Sequence, residues 1–302
     1  RKSMLENIFV GAADSLRQLF TGIGITGILN DFIMMHVKLV AILVFILINV
    51  MILVFMERKV SAYMQARIGP NRVGPKGSLQ LFADIGKLLS KEITIPSKAD
   101  KIVFLITPAL IFVPALMILA VVPFGQNMVA IDMNIGLFYF LAIGSLSTVI
   151  FWASGWASNN KYSLLGGMRV VAQMVSYELP LALSLLGIVM ITGTLSLSGI
   201  IEAQQNMWFI FVQPVAFLIF FIAAVAESNR TPFDLVEGES EIIAGPFTEY
   251  GGMAFAMFFL AEYASVFLVV AFGTIVFLGG WLAPFGWTFI PSWAWFFLIM
   301  YL

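Results

Sequence analysis

The sequence predicts an all-α, polytopic transmembrane helix bundle, and three observations predict it. Hydrophobic residues make up 61% of the chain and charged residues only 11%, against about 25% charged in a typical soluble domain. The apolar residues come in repeated runs of about 20, the length that crosses a hydrocarbon core of about 30 Å. The basic residues gather in three of the connecting loops, as the loops of one membrane side do. Residues 1–302 read as a single membrane domain.

In chain order, residues 1–36 mix apolar and polar positions. Phe9, Leu16, Leu19 and Phe20 predict an amphipathic or partly embedded helix there. The first span is 37–56, ended by Glu57. The long polar segment 57–101 follows and holds nine of the sixteen Lys and Arg residues. Within it, Ser78 is positioned to N-cap a helix over 79–91. That helix has an apolar face (Leu81, Phe82, Ile85, Leu88, Leu89) and a polar stripe (Gln80, Asp84, Lys87, Lys91), the pattern of an interfacial helix. Further spans are predicted at 102–123, 135–154, 170–191, 209–227, 254–279 and 286–302, which makes seven. The chain ends inside the last apolar run, so an eighth helix is expected to follow.

Sidedness comes from charge. The loops 57–101, 155–169 and 228–253 hold twelve of the sixteen basic residues. The positive-inside rule places them together on the cytoplasmic or matrix side. The loops 124–134, 192–208 and 280–285 face the other way, with the N-terminal segment.

Composition also excludes chemistry. No cysteine is present, which rules out iron–sulfur clusters and disulfides. His36 is the one histidine, which rules out a bis-histidine haem or a histidine-rich metal site. No metal, haem, flavin or iron–sulfur group is expected in this chain, so any electrons come from a partner. A net charge of −1 implies no nucleic-acid partner. The spacing Gly69-x4-Gly74 begins like a phosphate loop, but Pro75 stands where the lysine belongs and no strand precedes it.

Two stretches carry candidate function. Residues 57–77 place five basic side chains, three glycines and two prolines directly after an apolar span. This cationic loop suits either anionic lipid headgroups or a chamber for a lipid-soluble ligand at the membrane surface. Facing it is a set of acids. Glu178 and Glu262 each lie about eight residues into a predicted span, roughly 12 Å deep at 1.5 Å per residue. Placing an ionisable group there costs about 2.5–3.5 kcal/mol, so such groups usually have a function. Glu57 and Glu227 stand at the ends of two other spans. The loop 228–253 adds Asp234, Glu237, Glu239, Glu241 and Glu249 against the single Arg230. Like charges about 6 Å apart repel by roughly 3 kcal/mol at an effective dielectric of about 20. Crowding and coupled titration are therefore expected in that loop. Carboxyls running from surface to midplane, bridged by Tyr177, Tyr250 and Tyr263, would form a proton path. A stand-alone transporter is the alternative of another class, and it would call for inverted repeats with broken helices.

Several motifs carry a family resemblance. They are Glu57-Arg58-Lys59, Gln65-x-Arg67-x-Gly69-Pro70-Asn71-x-Val73-Gly74-Pro75, Ser158-Asn159-Asn160-Lys161-Tyr162 and Ser176-Tyr177-Glu178. Ala226-Glu227-x-Asn229-Arg230-x-Pro232-Phe233-Asp234, Glu237-Gly238-Glu239-Ser240-Glu241 and Ala261-Glu262-Tyr263 complete them. In this order they resemble the H-type subunit (subunit 1 in mitochondria) of the proton-translocating NADH:quinone oxidoreductases, respiratory complex I, over about residues 37–282. The 36 preceding residues are longer than the family leads one to expect. The resemblance implies a heel subunit that forms much of a tunnel for ubiquinone or menaquinone. It implies partners: iron–sulfur and quinone-site subunits of the peripheral arm, small membrane subunits, antiporter-like subunits, and lipid. It places the chain in a bacterial plasma membrane or a mitochondrial inner membrane. By position, Arg67, Arg72, Phe82, Asp84 and Lys87 would shape the quinone end. Glu57, Glu178, Glu227, Asp234, Glu237, Glu239, Glu241, Glu249 and Glu262 would form the acidic path. A membrane hydrogenase or photosynthetic relative with another electron donor is the alternative within the same superfamily.

Overall fold

The computed structural model describes residues 8–22, 27–126, 128–234, 239–283 and 290–301. Every regular element among them is a helix. Five are long and apolar enough to cross a membrane, and two shorter apolar helices stand beside them. The chain is an integral membrane protein.

Helix α1 (Ile8–Gly22) precedes α2 (Ile28–Met64). Arg17 of α1 pairs with Asp31 of α2. The predicted span 37–56 is only the middle of α2, which at 37 residues is about 55 Å long. Residues 28–36 and 57–64 contain no Gly or Pro. Glu57 therefore marks where the hydrocarbon ends and not where the helix does.

A 3-10 turn at Pro75–Gly77 leads into α3 (Gln80–Ser90). Ser78 does not cap α3: its N–H donates to Pro75 O, and Leu79 occupies the cap position. Gly77 has φ +82°, and a Cβ there would fall 2.1 Å from Pro70 O, so the loop closes on itself only with glycine. No residue of α3 is buried, and Phe82 and Leu89 are exposed, as expected of an interfacial helix.

The next span is broken into α4 (Lys101–Leu110) and α5 (Phe112–Leu119). Pro114 has no N–H to give to Leu110 O, which accounts for the break. Asp100 caps α4 by accepting from Ile102 N and Val103 N at 3.2 and 3.3 Å. Helix α6 (Gly136–Ala157) is followed after three residues by α7 (Lys161–Thr192). The predicted loop 155–169 is thus mostly helix. Asn159, at φ +49°, turns the chain, and Asn160 caps α7 through Tyr162 N at 3.0 Å. Helix α8 (Leu197–Ala203) lies in the predicted loop 192–208. The span after it is interrupted, as α9 (Phe209–Val212) and α10 (Pro214–Glu227), at the proline that opens α10. The short α11 (Glu239–Ile242), then α12 (Gly252–Phe277) and α13 (Ser292–Tyr301), complete the chain.

Helix α12 runs through the middle, with Phe272, Ile275, Val276 and Phe277 wholly buried. Phe272 stacks on Phe140 of α6 at 3.7 Å. Helices α6 and α7 approach at Gly155 and Gly167, the small residues that membrane helices use to pack closely.

The three basic loops meet at one end of the bundle. Asn159 Nδ2 donates to Lys98 O at 2.9 Å, Asn160 Nδ2 to Glu249 at 2.6 Å, and Ser163 Oγ to Pro246 O at 2.9 Å. At the opposite end Gln204 ties α8 to α12: its Nε2 donates to Ile275 O at 2.8 Å and its Oε1 accepts from Gly279 N at 3.0 Å.

Gly166 of α7 lies against the 3-10 turn Gly245–Phe247. A Cβ there would come within 2.5 Å of Gly245 Cα and 2.6 Å of its carbonyl carbon. Backbone cannot swing aside as a side chain does. Gly166→Ala should therefore cost about 1–3 kcal/mol and lower the Tm of the detergent-solubilised protein. An unchanged Tm would show that the turn is not seated on α7.

Candidate functional site

The site is laid out by three consecutive residues of α2. Neighbours on an α-helix point about 100° apart, so Glu57, Arg58 and Lys59 serve three different contacts. Glu57 meets Arg230, Arg58 meets Asp84 of α3, and Lys59 lines a basic cleft.

The cleft, about 400 Å³, is walled by Lys59, Tyr63, Arg67, Gly69, Asn71 and Lys76. Arg67 Nε donates to Gln65 at 2.7 Å. Of the five residues assigned to the quinone end, Arg67 is in this cleft and Arg72 is exposed on the same loop. Phe82, Asp84 and Lys87 sit on α3. Asp84 accepts from Arg58 at 2.6 Å and from Gln80 at 3.0 Å. Partial burial pushes the Asp84 carboxyl up, but the hydrogen bonds from Gln80 and Arg58, with the charge of Lys87, outweigh it and hold the carboxyl below its usual range.

The second contact is a shared cation. Arg230 Nη1 lies 3.3 Å from Glu57 Oε2, and its Nε lies 3.4 Å from Glu262 Oε1. Its guanidinium carbon stands 4.1 Å from the ring centre of Tyr263, a cation–π contact. The side chains of Arg230 and Glu262 are 27% and 15% exposed, so the inner half of this network is largely removed from solvent, while Glu57 at its outer end is 49% exposed. A pocket of about 420 Å³ beside it is lined by Glu57, Arg230, Tyr263, Leu53, Val270 and Tyr301.

Beyond Glu262 is an internal cavity of about 60 Å³. Its wall includes Glu227, Glu262, Asn229, Ser147 and Ser265 among apolar neighbours such as Phe140 and Met174. That volume accommodates a few water molecules. Glu227 Oε2 is buried with no protein hydrogen-bond partner. Glu178 is the carboxyl near enough to act electrostatically on Glu227. Because α7 begins at Lys161, Glu178 is not near a helix end. It lies about 26 Å from Lys161, halfway along the helix. Glu227 is the last residue of α10, at the span end expected of it, with its Oε2 buried.

The structure thus brings Glu57, Glu262, Glu227 and Glu178 into one succession. Among the described residues, Glu241 and Glu249 have partners outside it. Glu241 pairs with Arg169 of α7 at 2.6 Å, and Glu249 accepts from Asn160 at 2.6 Å. These two have separate partners, so the crowding expected from spacing is relieved for this pair. Asp234 is exposed at the end of the turn. Glu237 and the side chain of Glu239 lie outside the described residues. The tyrosines divide as well. Tyr263 stands on Arg230, Tyr177 packs on Phe233 at 5.3 Å, and Tyr250 stacks on Phe104 at 4.1 Å. Burial pushes the Tyr250 hydroxyl up to about 12, so it stays protonated at physiological pH.

Sequence reasoning passed over Arg230, which it counted only as the one base among loop acids. It counted Arg58 and Lys59 in the cationic loop without giving them separate roles, and it passed over Ser147 and Ser265. The signal for Arg230 was its solitude: a single cation among acids, next to a buried-looking Pro-Phe, is a candidate for a shared counter-ion.

Comparison with known proteins adds the following. The family model described as NADH dehydrogenase matches residues 37–302. The H-type subunit of the NADH-quinone oxidoreductase of Carboxydothermus hydrogenoformans is 53% identical over 298 residues, 99% of this chain and 85% of that protein. Proteins of the same name from a Geobacillus species and from Bacillus cytotoxicus are 53% and 52% identical over 241 residues, 80% of this chain and 72% of each relative. The Carboxydothermus alignment takes in nearly all of the first 36 residues, whereas the family model begins at residue 37. The family match also extends beyond residue 282.

The Asp84 geometry has a pH consequence. A carboxyl whose folded pKa is depressed stabilises the structure above the unfolded value of about 4, and that stabilisation is lost as pH falls through the folded value. The protection of the α3 backbone amides, taken relative to the intrinsic exchange rate at each pH, should therefore fall below about pH 4. In Asp84→Asn the acid-induced step should disappear. An acid step of the same size in the variant would separate α3 docking from this carboxyl.

Proposed function

The chain belongs to the NADH dehydrogenase family, and on that footing we propose that it forms part of the quinone tunnel of a proton-translocating NADH:quinone oxidoreductase and couples quinone reduction to proton movement. It is a membrane subunit of such an oxidoreductase, working among other subunits of the complex. The named relatives are bacterial, which supports the plasma membrane of a bacterium as its location.

In this reading, electrons reach the quinone from an iron–sulfur subunit of the peripheral arm. Arg67, Arg72, Phe82, Asp84 and Lys87 shape the end where the headgroup arrives. Two electrons and two protons convert quinone to quinol. The cationic cleft and the Arg58–Asp84 pair set the local field in which that charge change occurs. Glu57 is the adjoining carboxyl, one residue from Arg58 on α2.

The observation that carries the proposal is the sharing of Arg230 by Glu57 and Glu262. One guanidinium cannot serve two carboxylates equally when one of them gains or loses a proton. Protonation of Glu57 releases Arg230 toward Glu262, and deprotonation draws it back. Glu262 opens onto the cavity that holds Glu227, and Glu178 follows. A proton change at the quinone end is thereby passed inward as a change in pairing. The loop acids Asp234, Glu237, Glu239, Glu241 and Glu249 contribute by supplying protons to the outer end of this succession.

Arg230→Met tests this in membranes that hold the assembled complex. Removing Arg230 leaves Glu262, only 15% exposed, without its counter-ion, which is strongly unfavourable for its ionised form. NADH:quinone turnover and proton pumping should fall together, by about tenfold or more. Wild-type turnover with wild-type pumping would contradict the proposal.

A further inference from the structure

We propose that Gln173 is a positioning residue for the Arg230 turn: its buried amide, on α7, clamps both arms of the chain segment that carries Glu227 and Arg230. This rests on the coupling role proposed above.

Gln173 is 7% exposed. Its Nε2 donates to Ala226 O at 2.7 Å and to Phe233 O at 2.8 Å, and it stands 3.3 Å from Asn229 Oδ1. Three oxygens around one nitrogen fix the orientation of the amide. Turned over, its carbonyl would face three acceptors and satisfy none. Ala226 lies immediately before Glu227, where the chain leaves α10. Phe233 lies where the turn ends. Arg230 is held between these two fixed points.

Besides Gln173, the turn meets α7 where the Phe233 ring packs on Tyr177 at 5.3 Å, a contact that leaves its backbone oxygens unheld. Its own hydrogen bonds are local: Asn229 N to Ala226 O, Arg230 N to Val225 O, Phe233 N to Arg230 O. These shape the turn but do not attach it. The attachment matters because the next residue along α7, Met174, lines the cavity of Glu227 and Glu262. A rotation of the turn would move Arg230 relative to Glu262, whose separation of 3.4 Å already lies at the long end for a charged pair. A hydrophobe of equal size would fill the same space and leave Phe233 O and Asn229 Oδ1 without this donor. Gln173 therefore does more than pack.

The clamp makes an isosteric test available. In Gln173→Glu the neutral carboxyl donates one hydrogen bond, whereas the ionised carboxylate donates none and repels three oxygens. Turnover per assembled complex, with assembly read on native gels, should fall as pH rises, along a limb absent from the wild type. In Gln173→Met it should be lowered about tenfold at every pH, as expected for buried acceptors stripped of their donor. Gln173→Asn, which keeps the donor on a shorter stem, should lie between. Hydrogen exchange of the Arg230 and Phe233 amides should quicken in Gln173→Met. Wild-type turnover and pH profile in both Gln173→Glu and Gln173→Met would overturn the proposal. The exchange data then tell which premise failed: quickened exchange with full turnover sinks the coupling role of the turn, and unchanged exchange sinks the clamp. Loss of assembly in all three variants would also overturn it, by assigning Gln173 to folding alone.

Discussion

The structure depends on one desolvated cation that must be neutralised from two sides. Arg230 is mostly buried, and a buried guanidinium without partners carries a penalty of several kcal/mol. Its neutralisation requires Glu57 from α2 and Glu262 from α12, with the Tyr263 ring beneath. Helices α2 and α12 and the turn after α10 are therefore obliged to converge at one point. That convergence leaves the cavity between Glu262 and Glu227 on its inner side and the cationic loop on its outer side.

Helical geometry then separates the tasks. Three adjacent residues of α2 face Arg230, Asp84 and the basic cleft. Glu57 and Arg58 are about equally exposed, at 49% and 48%, so neither the Glu57–Arg230 nor the Arg58–Asp84 pair adds much stability by itself. The Arg58–Asp84 pair orients α3 and sets local charge, and the aromatic packing around α12 holds the bundle. Two buried glutamines act as fixed points at the two ends, Gln204 behind α12 and Gln173 beneath the Arg230 turn.

Much of this was legible in the sequence. The number and order of spans followed from apolar runs, and the sharing of one side by three loops followed from Lys and Arg counts. The membership of Glu57, Glu178, Glu227 and Glu262 in one region followed from the cost of placing acids in hydrocarbon. Helix ends were less legible. Hydropathy reports where oil stops, and α2 and α7 continue past it as polar helices. Glu178 therefore lies halfway along its helix although it is only about eight residues into the apolar run. The breaks at Ile111 and Gln213 come from prolines that hydropathy counts as tolerable interruptions. The loop acids read as a crowd because spacing along the chain does not reveal partners such as Arg169 and Asn160, which another helix supplies. Arg230 was illegible as a hub for the same reason: Glu57 is 173 positions away in the chain.

The central claim is that carboxyls bridged by Arg230 change protonation when quinone is reduced. Redox-induced infrared difference spectroscopy of the assembled complex measures this through the carbonyl stretch of protonated carboxyl side chains. The account predicts a signal on quinone reduction that is lost or shifted in Glu57→Gln and in Glu262→Gln. An identical signal in the wild type and in both variants would contradict it.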